Sequence, residues 1–195
     1  MAAAGHDCSL RLSFPAGDSV VSAEVLDAGD RTAARMRRGL RVAAVPPDVA
    51  AVSDLLLARA RGPVPDSLGG LLPDLVATPV FAPGDTIRVG WDVHGLGWRE
   101  GEVLGYTLTV DEDAGGVFTR LGRTLGFVGD RRGTRLAWTE QGPASPGPLF
   151  RAVDVVLPPD IGDGDLRIRL ELATEGRSTL VTEREVRVRS DPARR

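Results

Sequence analysis

The sequence contains no lysine, no asparagine, a single glutamine and a single cysteine, and aromatic residues make up only 5% of it. With one cysteine, Cys8, an intrachain disulfide framework is excluded, although the compartment is left open. No run of about 18 apolar residues occurs, so no helical membrane span is expected. Neither sign of charge dominates. A formal net charge of −3 removes the electrostatic case for nucleic acid as a partner. The missing lysine reads as the codon usage of a GC-rich genome, since all 24 basic side chains are arginine. Catalytic signatures are missing too. There is no Gly-x-Ser-x-Gly nucleophile turn and no Gly-x-x-x-x-Gly-Lys phosphate loop. Residues 1–10 lack the charged-then-apolar layout of a signal peptide. The expectation is a cytoplasmic protein, or the mature or C-terminal part of a longer one.

What is present is the punctuation of a β-protein. The 24 glycines and 14 prolines fall between short alternating apolar segments, which favours many turns joining short strands. The clearest strand follows Pro83-Gly84-Asp85, with Ile87, Val89, Trp91 and Val93 on one face and Arg88, Gly90, Asp92 and His94 on the other. Leu104, Tyr106, Leu108 and Val110 alternate in the same way, as do Leu166, Ile168, Leu170 and Leu172. Further strands are expected at Ser9–Phe14, Val76–Phe81, Val117–Leu121, Leu136–Thr139 and Leu149–Leu157. Ala51–Arg59 reads as a strand or a strand-like crossover.

Two stretches resemble each other. Residues 17–42 and 164–188 each open on Gly-Asp, turn at a second glycine (Gly29, Gly176) and return through a strand ending in Leu/Val-Arg-Val. Self-similarity of this kind bears on architecture, and it decides for strand over helix at Thr32–Val45. From residue 76 onward at least seven strands are expected, the size of an immunoglobulin-like sandwich. Residues 9–45 supply about three, too few to close a sandwich. The fold class is therefore all-β: an immunoglobulin-like β-sandwich preceded by a partial β-sandwich unit. The expected domains are a partial unit with its connecting segment over 1–60, a Gly/Pro-rich linker over 61–75, a complete sandwich over 76–189 and a polar tail over 190–195.

Four segments carry a family resemblance: Val52-Ser53-Asp54-Leu55-Leu56-Leu57-Ala58, Phe81-Ala82-Pro83-Gly84-Asp85, Val93-His94-Gly95-Leu96 and Tyr106-Thr107-Leu108-Thr109-Val110. Together they resemble the C-terminal β-sandwich region of GWxTD-domain proteins of high-GC bacteria, over most of residues 20–188. The naming signature is absent, because Gly97-Trp98-Arg99-Glu100-Gly101 stands where it does not read Gly-Trp-x-Thr-Asp. The resemblance implies an accessory sandwich, transfers no catalytic residue, and favours the cell envelope, on the periplasmic side, over the cytoplasm.

Candidate chemistry is sparse. His6 and Cys8 lack the second pair that a tetrahedral metal site needs, and His94 has no nucleophile near it in sequence. Asp160, Asp163 and Asp165 alternate on a Gly-rich loop and are the candidate ligands for Ca²⁺; no other cofactor is expected. Arg35, Arg37, Arg38 and Arg41 form a basic cluster suited to an acidic protein surface or lipid headgroups. Trp98, in a Gly-rich loop, is the candidate anchor for a partner, since interface hot spots favour Trp and Arg. The leading expectation is a non-catalytic structural or interaction subunit. It docks on other protein subunits of a larger, membrane-associated assembly, peripherally and without a transmembrane segment. The alternative is a Ca²⁺- or carbohydrate-binding module, with a hydrolase third.

Overall fold

The computed structural model describes residues 12–27, 29, 31–112 and 134–190. The expected strand Val117–Leu121, the His6/Cys8 pair and residues 191–195 lie outside them. The described residues form two compact units, one within residues 10–46 and the other from residue 47 onward.

The first unit is a hairpin. Strand β1 (Gly17–Asp27) pairs antiparallel with β2 (Thr32–Val42), from Gly17↔Val42 to Asp27↔Thr32. These two strands form a sheet of their own. Residues 12–14 are not strand. The expectation of about three strands is thus corrected to two among the described residues.

The second unit is a two-sheet β-sandwich, and the all-β fold class is borne out. One sheet has the order β5 (Val80–Phe81), β11 (Leu180–Val188), β10 (Gly164–Thr174), β7 (Val103–Glu112), β8 (Thr134–Gln141). Its pairings are antiparallel except the short parallel contact of β11 with β5. The other sheet is built on β6 (Thr86–Leu96). Strand β9 (Gly147–Val156) pairs along one edge of β6, while β3 (Ala51–Val52) and β4 (Leu56–Arg59) pair with β6 in succession.

The strands form where alternation lets one face turn inward. Ile87, Val89, Trp91 and Val93 from β6 meet Leu104, Tyr106, Leu108 and Val110 from β7 and Leu166, Ile168, Leu170 and Leu172 from β10; all twelve are buried in one core. Burying each such aliphatic side chain contributes about 1.5–3 kcal/mol. At the centre Trp91, Tyr106 and Trp138 pack as an aromatic cluster, with Tyr106 and Trp138 stacked at 5.0 Å between centroids.

The expected domain boundaries need correction. Residues 51–59 belong to the sandwich: β4 pairs with β6 from Leu56↔Gly90 to Arg59↔Ile87, and Leu55 and Leu57 enter the core. Residues 61–75 are a cap rather than a linker. They hold a one-turn helix α1 (Leu68–Leu71), capped by Ser67 Oγ accepting from the Gly70 amide, and a 3₁₀ turn at Leu72–Asp74. Leu71 is fully buried. It presses on Gly90, where an added Cβ would stand 2.6 Å from Leu71 Cδ2. Alongside, Arg88 is only 2% exposed. Its guanidinium donates to both carboxylate oxygens of Asp154 and to the carbonyls of Arg61, Gly62 and Pro63. A glycine that admits Leu71 and an arginine that collects three carbonyls explain why a Gly/Pro-rich stretch lies ordered across the outer face of β6. The boundary between units therefore falls between Pro46 and Pro47, ahead of the expected one.

Candidate interaction surface

The hairpin presents two chemically different faces. Directly paired residues of an antiparallel ladder share a face, so the register groups Val21, Ala23 and Val25 with Ala34, Met36, Arg38, Leu40 and Val42. The opposite face carries Asp18, Val20, Ser22, Glu24 and Leu26 with Ala33, Arg35, Arg37, Gly39 and Arg41. On this charged face Arg35 reaches Glu24 at 3.0 Å and Arg41 reaches Asp18 at 3.1 Å. Both pairs are well exposed, so each is worth no more than about 1 kcal/mol. Arg37 and Arg38 have no ion-pair partner among the described residues.

Apolar side chains on this unit meet water. Val20, Val25 and Leu26 are 70, 67 and 77% exposed, and Met36 is 56% exposed. The hairpin β10–β11 offers a direct contrast. It begins from the corresponding pair, Gly164↔Val188, and carries the corresponding ion pair, Arg187 to Asp165 at 2.8 Å. There, however, Leu166, Ile168, Leu170, Leu172, Val186 and Val188 are buried, β7 pairs along the outer edge of β10, and β5 pairs with Arg187 and Val188 at the end of β11.

Trp98 is half exposed as expected, yet its indole N–H donates to the Pro47 carbonyl at 2.8 Å. It belongs to a clamp on residues 47–50 that the sequence did not reveal. Arg177 donates to the Asp48 carbonyl at 3.1 Å and forms an ion pair at 3.2 Å with the buried Glu102. Glu102 in turn accepts from the Gly97 amide. Gly95, at φ +72°, lies so close to Val49 that an added Cβ would stand 2.0 Å from its carbonyl oxygen. The Gly-rich stretch around Trp98 was the readable signal of an unusual backbone; the distant partners were not.

The three candidate calcium ligands are not gathered. Asp163 accepts from the Ser190 amide and hydroxyl, and Asp165 is held by Arg187. These donors hold both carboxyls below the usual carboxylate range, Asp163 through Ser190 and Asp165 through Arg187. Among the described residues no group of three His, Cys, Asp or Glu side chains comes together. His94 is exposed on β6, opposite Ala51. A depression on the sandwich surface is lined by Arg167, Glu183, Arg184 and Glu185, where Arg169 also pairs with Glu183 and Glu171. Opposite charges there neutralise one another.

No protein-family model matches the chain, and a search of curated proteins finds no match. Among solved structures the chain is similar to Spo0M, a sporulation control protein from Bacillus subtilis, with 12% identity and a TM-score of 0.39. The match covers 73% of this chain and 50% of that one, so the chain spans half the length of the structure it matches.

Proposed function

We propose that this chain is a non-catalytic interaction module that docks on a protein partner by extending the β1–β2 hairpin with strands from outside it. The observation that carries the reading is the exposed apolar content of a two-stranded sheet: Val20, Val25, Leu26 and Met36 on strands of 11 residues each. A two-stranded hairpin is marginal in water, and stability comes with further strands or a packed face. Among the described residues no strand pairs with its outer edges, and strand addition to such an edge gives affinity through the main chain. The sandwich serves as the platform, with the clamp of Trp98, Arg177 and Gly95 fixing the segment that follows the hairpin. The resemblance of residues 20–188 to an accessory sandwich agrees with this role and favours a partner in the cell envelope, on a membrane-associated assembly.

A photo-crosslinking amino acid tests the reading in cells of the source organism. Placed at Leu26 or Met36 it is expected to trap another polypeptide. Placed at Val156, which is 61% exposed on the sandwich, it is expected to trap none. Equal yields from all three positions would show that the hairpin is not the docking element.

A further inference from the structure

We infer that the strand taken up by the free edge of β2 is the β1 strand of a second copy of this chain. The inference rests on the docking reading above and names its occupant.

Charge is segregated between the two strands. By sequence β1 carries Asp18, Glu24 and Asp27 and no base, whereas β2 carries Arg35, Arg37, Arg38 and Arg41 and no acid. Within the hairpin, Glu24 and Asp18 are taken by Arg35 and Arg41. Arg37 and Arg38 sit side by side in mid-strand opposite Ser22 and Val21, with no acid between them. A strand arriving at the far edge of β2 comes within cross-strand reach of both. There opposite charges stabilise the pairing and like charges oppose it. A second β2 would set arginines against arginines. An acidic strand of matching length, free of proline and arginine, is favoured, and β1 has all of these properties over its 11 residues.

Register supports the same occupant. A slip of one residue turns a strand's side chains to the opposite face, so only alternate registers continue the apolar face of Ala34, Met36 and Leu40 with Val21, Ala23 and Val25 of the incoming strand. One such register sets Glu24 of the incoming strand opposite Arg37, the base that its own hairpin leaves without an ion-pair partner among the described residues, while Arg38 lies beside Ala23 on the other face. Every copy then offers one acidic and one basic edge. The contact is heterologous, joining different surfaces of the two copies, and it propagates unless the rotation closes a ring. Because the charges are exposed, association weakens with salt.

Sedimentation of the full chain at rising concentration in low salt tests this. The mass is expected to grow beyond the monomer and to fall back when salt is added. The double variant Arg37→Glu with Arg38→Glu blocks the basic edge while sparing both ion pairs of the hairpin. The double variant Asp18→Asn with Glu24→Gln removes two of the three acids of β1, together with the hairpin's ion pairs to Arg41 and Arg35. Each alone is expected to weaken association about threefold or more, the first by turning the Glu24–Arg37 contact from attraction to repulsion and the second by removing it. Mixed together they should form a dimer and stop there, because one still offers a working β1 and the other a working β2. Association of the mixture no better than of either variant alone overturns the head-to-tail arrangement. A labelled peptide of residues 17–27 separates the remaining outcomes. If the chain is monomeric at every concentration yet binds this peptide, the second copy is not the occupant and the docking reading stands. If it binds neither, this inference falls, and the docking reading is decided by the crosslinks at Leu26 and Met36.

Discussion

Arg88 shows how a charged side chain is accommodated where the alternation of β6 promises an exposed one. Five hydrogen bonds tie it to Asp154 and to the carbonyls of residues 61–63. Breaking a buried pair costs 3–5 kcal/mol. With Asp154 one-third exposed, the Arg88→Met variant is expected near the lower end, about 3 kcal/mol, read as a lowered urea midpoint. Arg88→Lys should recover little, because an ammonium cannot repeat the planar fork. Tyr106 gives a pH signature. Burial, reinforced by the neighbouring charge of Glu140, pushes its phenol well above the ordinary value of 10.0. A raised native pKa means that the stabilisation is complete below the unfolded value and is lost as pH rises above it. Thermal melts should therefore show an alkaline loss of stability beginning near pH 10 that Tyr106→Phe abolishes. A wild-type profile flat through that range would contradict the burial. At Gly95 alanine meets both a left-handed backbone and the Val49 carbonyl. Gly95→Ala is expected to speed amide exchange at residues 47–50 more than Trp98→Phe does, since the latter removes one exposed hydrogen bond.

At the scale of the element, the strands were readable wherever one face is core and the other is not. Ile87-x-Val89-x-Trp91-x-Val93 and the matching runs in β7 and β10 fall where period-two alternation put them, and their inward residues are the buried ones. Alternation fails where a third layer covers the outer face. Gly90 and Arg88 read as surface, yet Leu71 and the carbonyls of residues 61–63 lie on them, contacts between residues far apart in sequence. Residues 61–75 accordingly looked like a linker. Leu71→Asp is expected to expose this flank of β6 and destabilise the sandwich by about 3 kcal/mol or more, from lost burial and an unpaired buried charge, measured by denaturant unfolding. The candidate surface was partly legible. The arginines of β2 were visible as a cluster, whereas their pairing state depends on the hairpin register. Trp98 was visible as an exposed aromatic, but its acceptor, Pro47, lies 51 residues away.

Among the described residues, one unit has its own core and the other contributes no residue to one. Leu166, Ile168, Leu170 and Leu172 of β10 are buried between strands on both sides, whereas Val20, Val25 and Leu26 of β1 are exposed on a sheet of two strands. Removing residues 10–46 is expected to leave the melting of the sandwich within a few degrees of the full chain, since the core residues all lie beyond them. A collapse of the sandwich on that deletion would assign the hairpin a structural role instead. The most direct measurement is amide hydrogen exchange resolved along the full chain, at low concentration and again under conditions of association. The expected result is strong protection of β10 and β11 in both, with β1 and β2 exchanging fast when dilute and becoming protected on association. Hairpin amides as protected as those of β10 in the dilute monomer would contradict the claim that this hairpin awaits strands from outside.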